Sequence, residues 1–345
     1  MTGRFATTLF RISFALAGAY NLAFGLWAGF WPLEFFRIFE IEPPRYPGIW
    51  ACVGMVVGVY GLLYWHAAWK LETARPIIAI GLLGKVLGPL GMLMTFSETW
   101  PRRLGMLCVY NDLIWWLPFA LFLLRGTPVA RALERLTPWC CAILHAVALV
   151  AMAAFLQEGM LTVPGVVDRA MHVCEQAELW MFGWALWMAS AASLVAFYGW
   201  WGSRLASPRA AIAGVLLAAF GMVCDLSGES LSALVLVEQA LARLGHATGA
   251  DWDPAVYQSI ERTATLLTAG AANALYTLGG LVLMLNTPDL PRLVRWAMWC
   301  TWASGIGMTV GALIDSVPTM VATTTVLFPL LIAWTVWMAA RWRRE

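Results

Sequence analysis

Two charges, Lys85 and Asp112, sit in successive apolar stretches of this chain. The first reads Gly81-Leu82-Leu83-Gly84-Lys85-Val86-Leu87-Gly88-Pro89-Leu90-Gly91, and the second carries Asn111-Asp112-Leu113-Ile114-Trp115-Trp116-Leu117-Pro118. An ion placed in the hydrocarbon core costs roughly 2.5–3.5 kcal/mol on insertion scales, so an intramembrane lysine and aspartate mark a place where function is expected. Two chemistries fit the pair: a static ion pair that fixes helix register, or a pair that handles a proton or a ligand. Asn21, Tyr20, Tyr60 and Asn111 are the polar side chains able to complete such a centre.

A second constellation lies further along. Asp225 and Glu229 are four residues apart and share one helical face, and Glu178, Glu261, Arg262 and Asp315 stand near the same predicted outer ends. Arg262, Thr265, Ala269, Asn273, Tyr276 and Gly280 form a stripe at helical spacing. The pattern predicts an outward-facing vestibule lined by Glu178, Asp225, Glu229, Arg262, Asn273 and Tyr276; the competing reading is acids that merely cap helices. His172-x-x-Glu175-x-x-Glu178 puts three ligand types on one predicted helical face, but three ligands from one helix do not enclose a metal unaided. No metal site and no cofactor are expected, haem on His66 or His145 included. Of the seven cysteines, Cys52 and Cys108 fall at similar depth and are the candidate redox pair. No Walker A, Gly-x-Ser-x-Gly or His-Glu-x-x-His pattern occurs, which argues against an ATP-driven machine, a serine hydrolase and a zinc protease.

The elements that must hold these residues are written for lipid. Hydrophobic residues make up 61% of the 345 and charged residues 12%. A span needs about 20 apolar residues, and ten are predicted, at 8–31, 48–68, 76–96, 104–124, 137–157, 178–200, 209–228, 262–285, 292–314 and 319–340. The fold class is therefore all-α and polytopic, with four helices plus six. The apolar run after Arg4 continues through Trp31, so it reads as an uncleaved first span. The longest extramembrane segment, near 230–260, leaves no room for a soluble catalytic domain. A net charge of +2 without basic runs, apart from Arg341-Trp342-Arg343-Arg344, gives no message about nucleic acid.

Positive charge sets the orientation. With the N-terminus inside, 14 of the 22 Lys and Arg residues lie on the cytoplasmic side. Arg37, Arg45, Arg102, Arg103, Arg169, Arg243 and Arg262 lie outside. An even number of spans puts both termini in the cytoplasm. Many of the 21 tryptophans fall at predicted span ends, where the headgroup layer suits indole: Trp27, Trp31, Trp50, Trp100, Trp180 and Trp252 on the outer side, and Trp65, Trp69, Trp139, Trp200, Trp201, Trp337 and Trp342 on the inner.

The polar stretch 125–136, bracketed by Pro128 and Pro138, reads as a cytoplasmic linker between a unit at 1–126 and a unit at 137–345. Gly81, Gly84, Gly88 and Gly91 recur at helical spacing, and Gly54, Gly58 and Gly61 on the preceding span are expected to answer them as a small-residue packing face. Gly54-Met-Val-Val-Gly58-Val-Tyr60-Gly61, the Lys85 segment, and Asn111-Asp112-Leu-Ile-Trp-Trp-Leu-Pro-Phe119 together resemble the DoxX-like four-helix bacterial membrane proteins, over about residues 5–125. That resemblance implies a compact four-helix bundle in the inner membrane, with links to thiol or quinone redox chemistry in some relatives. Glu178-Leu-Trp-Met-Phe-Gly-Trp184, Asp225-Leu-Ser-Gly-Glu229 and Ala272-Asn273-Ala-Leu-Tyr276-Thr-Leu-Gly279 resemble six-helix bacterial membrane proteins that bring no known reaction.

The expected function is binding or moving a small or lipid-soluble molecule within the helices. Lys85, Asp112 and Asn111 would serve one unit and the acidic vestibule the other, with membrane lipid as the surrounding partner. The alternative is a membrane-embedded oxidoreductase or accessory subunit acting with quinone or thiols.

Overall fold

Apolar runs of this length can satisfy their backbone in lipid only by coiling into helices, and helices are what they form. The computed structural model describes residues 3–95, 101–243 and 252–341, with no strand among them. In chain order the helices are α1 (Arg4–Phe30), the short α2 (Pro32–Ile38), α3 (Pro47–Trp69), α4 (Arg75–Thr95) and α5 (Arg102–Leu124). There follow α6 (Pro128–Gly159), the short α7 (Val166–Glu175), α8 (Ala177–Gly202), α9 (Pro208–Ala242), α10 (Pro254–Leu285), α11 (Arg292–Leu313) and α12 (Val317–Arg341). Among the described residues, nine helices are long and apolar enough to cross a bilayer. The architecture is that of an all-α polytopic membrane protein. The expected span at 292–314 is the helix α11, long enough at 22 residues but outside the nine, because its tryptophans and its scattered glycine, serine and threonine residues lower its hydropathy.

The chain divides into two compact units, Met1–Thr127 and Pro128–Glu345. Gly126 takes a φ of 79° just past the end of α5, a left-handed turn that glycine adopts without strain and that commonly ends helices. Pro128 then opens α6, so most of the expected linker at 125–136 is the first turns of a helix.

In the first unit α1 and α3 approach most closely. A Cβ added to Gly25 would stand 2.5 Å from the Cα of Gly58, and one on Gly54 would stand 2.5 Å from the Cβ of Ala28. The glycines of α3 therefore answer α1, not α4 as expected. On α4, Gly81 and Gly88 lie against Tyr64 and Asp112, while a Cβ on Gly84 would find open space. Below the polar centre, Phe14, Tyr64 and Phe119 pack into an aromatic core, with Phe14 and Phe119 edge to face at 5.5 Å.

In the second unit, three helices are longer than a bilayer requires. At 1.5 Å per residue the 35 residues of α9 reach roughly 50 Å, against a hydrocarbon core of about 30 Å. The expected loop near 230–260 is thus largely helix: α9 runs to Ala242 and α10 begins at Pro254. These helix ends join α7 in a cap with its own core of Leu156, Val173, Trp180, Leu236, Val237 and Tyr257. The cap is stapled by a buried pair. Arg169 donates Nε to Glu261 Oε1 at 2.7 Å and Nη2 to Oε2 at 2.6 Å, and its Nη1 donates to the carbonyls of Val163 and Pro164. The bidentate hydrogen bonds to Glu261 raise Arg169 above the ordinary guanidinium range, outweighing the opposing effect of burial.

The tryptophans expected at span ends divide between exposed and buried positions. Trp31, Trp65 and Trp69 are exposed as boundary residues should be, but Trp180 and Trp201 are fully buried. Their N–H groups are spent inside the protein, Trp180 on the carbonyl of Ser232 at 2.7 Å and Trp201 on the hydroxyl of Thr287 at 2.8 Å. Trp100, Trp342, Arg343 and Arg344 lie outside the described residues.

Candidate functional site

The polar centre of the first unit forms around two backbone irregularities. Proline has no N–H and cannot bond the carbonyl four residues before it. Pro89 therefore leaves the carbonyl of Lys85 without its helical donor, and Trp116 Nε1 donates to that oxygen at 3.0 Å. On α5, Val109–Leu113 forms a π turn, a rare widening of the helical ladder that recurs at functional sites. Its carbonyls are taken by side chains: Trp115 Nε1 donates to Tyr110 O at 3.1 Å, and Lys85 Nζ donates to Asn111 O.

Lys85 and Asp112 are both buried, at 5% and 4% exposure. Asn111 connects them: its backbone carbonyl accepts from Lys85, and its side-chain Nδ2 donates to Asp112 Oδ1 at 3.0 Å. Lys85 Nζ also stands 5.9 Å from the centre of the Trp115 ring. The carboxylate lies so close to α4 that a Cβ on Gly88 would be 2.6 Å from Asp112 Oδ2. Asn21 Oδ1 and Asn111 Oδ1 are buried there without a hydrogen-bond partner.

The second unit encloses a cavity of about 620 Å³. Its walls come from α6, α8, α9, α10, α11 and α12, and Gln157, Met160, Leu161 and Thr162 close its cap end. Four of the six residues expected in the vestibule line it: Asp225, Glu229, Asn273 and Tyr276. Gly221, one turn before Asp225, leaves room for the Tyr276 ring, whose atoms a Cβ there would meet at 3.0 Å. Tyr276 can then donate its hydroxyl to Asp225 Oδ2 at 3.1 Å. Tyr198, another lining residue, donates to the carbonyl of Tyr276 at 2.9 Å. Asn273 donates Nδ2 to the carbonyl of Gly305 at 2.5 Å and to Thr309 Oγ1 at 3.0 Å. Glu229 is 2% exposed, and its Oε2 is buried with no partner.

Glu178 and Arg262 are not in this cavity, which corrects the six-residue vestibule. Glu178 is exposed in the first turn of α8, where an acid complements the positive end of the helix. Arg262 clamps the end of α11, donating to Ala312 O at 2.7 Å, Leu313 O at 3.2 Å and Asp315 Oδ1 at 2.7 Å. Depth along the helix explains the split. Thr265, one turn beyond Arg262 on α10, lines the cavity, whereas Arg262 lies a turn nearer the helix start, beside the end of α11.

The cavity also contains residues that the sequence did not single out for this role. Trp184, Trp187 and Trp302 line it, and the indole N–H of each is buried without an acceptor. His145 lines it too. Its Nδ1 lies 2.8 Å from the Cys141 carbonyl, which can only accept, so Nδ1 carries the proton and Nε2 presents a lone pair. The signal for these residues was position: Trp184, Trp187 and Trp302 fall in mid-span, away from the boundaries that explain other tryptophans. Arg169 and Glu261 gave no such signal, because each reads as an ordinary loop or helix-end charge.

The remaining candidates do not assemble. α7 ends at Glu175 and α8 begins at Ala177, so His172, Glu175 and Glu178 do not share one helical face. His172 instead places Nε2 2.9 Å from the carbonyl of Phe155 and Nδ1 3.3 Å from Glu158. No metal-ligating cluster occurs among the described residues. Cys52 is exposed, Cys108 is half-buried, and both are free. Comparison with known proteins gives no match to a family model, a curated protein or a solved structure.

Proposed function

We propose that this chain is a multi-pass protein of the bacterial inner membrane that binds, and passes through its second unit, a small lipid-soluble molecule. The first unit is read as a DoxX-like bundle whose Lys85–Asn111–Asp112 centre is its functional point. The observation that carries the binding reading is the cavity. Its volume falls within the roughly 300–1,000 Å³ of small-molecule sites, and its apolar wall with a few polar groups is the usual composition of such sites. Buried polar atoms are almost always hydrogen-bonded, and one left without a partner costs about 1–3 kcal/mol. Three indole N–H groups and one Glu229 oxygen in the cavity wall have no partner within the protein, and ordered water beside the N–H groups or a ligand donor beside Glu229 would lower that cost.

The neutral aromatic alcohol 1-naphthalenemethanol is a suitable first probe, since it fits the volume and offers both a donor and an acceptor. A ligand that binds only the folded state stabilises it by about 2.7 kcal/mol at a hundred times its Kd. The purified full chain in nanodiscs should thus show a saturable rise in Tm with the probe. Ala191→Phe, which places a ring at a buried lining position, should fold and lose that response. An unchanged response in Ala191→Phe would place the probe elsewhere, and no response in the unaltered protein would remove the reading.

A further inference from the structure

We infer that the ligand of the second unit is a lipophilic monocation, an amine or ammonium with an aromatic or alkyl body, bound with its charge at Asp225 and Glu229. The inference rests on the cavity being a ligand site, as proposed above, and adds the sign of the ligand's charge.

Two carboxyl groups enter the cavity from one face of α9, and among the described residues its lining contains no lysine or arginine. Two other buried acids are answered by protein. Asp112 is served by Asn111, and Glu261 is held bidentately by Arg169. Asp225 receives only the Tyr276 hydroxyl, and Glu229 receives nothing at Oε2 while being 98% withdrawn from solvent. Charges in a low-dielectric interior are retained when they are paired. In this cavity the chain supplies no cationic partner.

The surrounding surface suits a cation as well. Trp184, Trp187, Trp302, Tyr198 and Tyr276 line the same space, and the negative faces of indole and phenol rings attract ammonium groups, the principle of aromatic cages for organic cations. His145, the one basic side chain of the lining, is held with its Nδ1 proton on the Cys141 carbonyl. A neutral imidazole in that arrangement does not compete for the carboxyl groups. The remaining lining is aliphatic and aromatic, which accommodates the apolar body and excludes hydrated inorganic ions.

The test compares two probes of the same shape, 1-naphthylmethylamine and 1-naphthalenemethanol, at a pH where the amine is protonated. Binding to the full chain in nanodiscs is measured by calorimetry for the unaltered protein, Glu229→Gln and Asp225→Asn. The amine should bind the unaltered protein at least about tenfold more tightly than the alcohol, about 1.4 kcal/mol. Glu229→Gln should erase that preference, the ratio of amine to alcohol affinity falling to about one. If the alcohol binds the unaltered protein as well as the amine does, the cationic assignment is wrong while the cavity reading stands. That comparison needs no variant and so does not depend on variant folding. An amine preference that survives in both variants would overturn the assignment to these carboxyl groups. If neither probe binds, the cavity reading fails and this inference with it.

Discussion

Lys85 is the residue on which the first unit most depends, and its surroundings say how it should respond to change. Its ammonium bonds a backbone carbonyl, whereas Asp112 is reached through the side chain of the same Asn111. Removing one member of a buried charged pair leaves the other uncompensated, at about 3–5 kcal/mol. Lys85→Met and Asp112→Leu should each lower the unfolding midpoint of the protein in detergent by an amount in that range. The double variant should recover much of the loss, because both ions disappear together. Asn111→Ala is the discriminating addition: it keeps the carbonyl that Lys85 uses and removes only the amide that serves Asp112. Its loss should be smaller, about 1–3 kcal/mol. Strictly additive losses for Lys85 and Asp112 would show that the two charges do not feel each other. Asn111 was legible in the sequence as a neighbour of the pair. Its role as the connection was not, since that follows from a π turn that no local pattern announces.

At the scale of elements, the glycines separate what spacing can tell from what it cannot. The repeat Gly54, Gly58, Gly61 was readable as a surface for close helix approach, and it is one. Which helix approaches was not readable, because a small-residue face specifies only that some backbone comes near. Gly25 of α1, unremarkable in sequence, meets Gly58 at a distance no Cβ tolerates. Gly25→Ala should therefore destabilise the first unit by about 1–3 kcal/mol, the usual penalty of overpacking. Gly29→Ala, one turn on, would find only Met55 Cγ at an ordinary 3.6 Å and should be neutral. Thermal unfolding of the two variants checks this, and equal stability would mean that α1 and α3 are not so closely packed. The same distinction explains the cavity. Asp225, Glu229, Asn273 and Tyr276 were found by helical spacing because α9 is regular through Ser230 and α10 is regular from Asn273 on. Arg262 was misplaced because it shares a face with Thr265 but lies a turn beyond the end of the cavity, and Glu178 because proximity to a predicted outer end was taken for convergence. Likewise the cap was read as a loop, since its short amphipathic pieces fall below the hydropathy of a span.

For the whole molecule the open question is which side of the membrane receives the C-terminus, and α11 decides it. Nine crossings from a cytoplasmic N-terminus would end outside, whereas ten end inside. Composition alone leaves α11 short of the others, but its surroundings favour a crossing. It packs along both α10 and α12, and its buried side carries Met298, Thr301, Trp302 and Gly305. An adjacent face exposes Trp299, Ile306, Val310 and Leu313, an apolar stripe at helical spacing that water would not favour and lipid would. Arg292 and Arg295 then fall at the cytoplasmic end, in keeping with the excess of positive charge there. A phosphatase reporter that is active only outside the cytoplasm, fused after Glu345, should accordingly stay silent. The same reporter placed after Ser316, in the turn between α11 and α12, should be active. Activity at both positions would mean that the last crossing is missing, and silence after Ser316 with activity after Glu345 would mean that α11 lies along the membrane instead of through it.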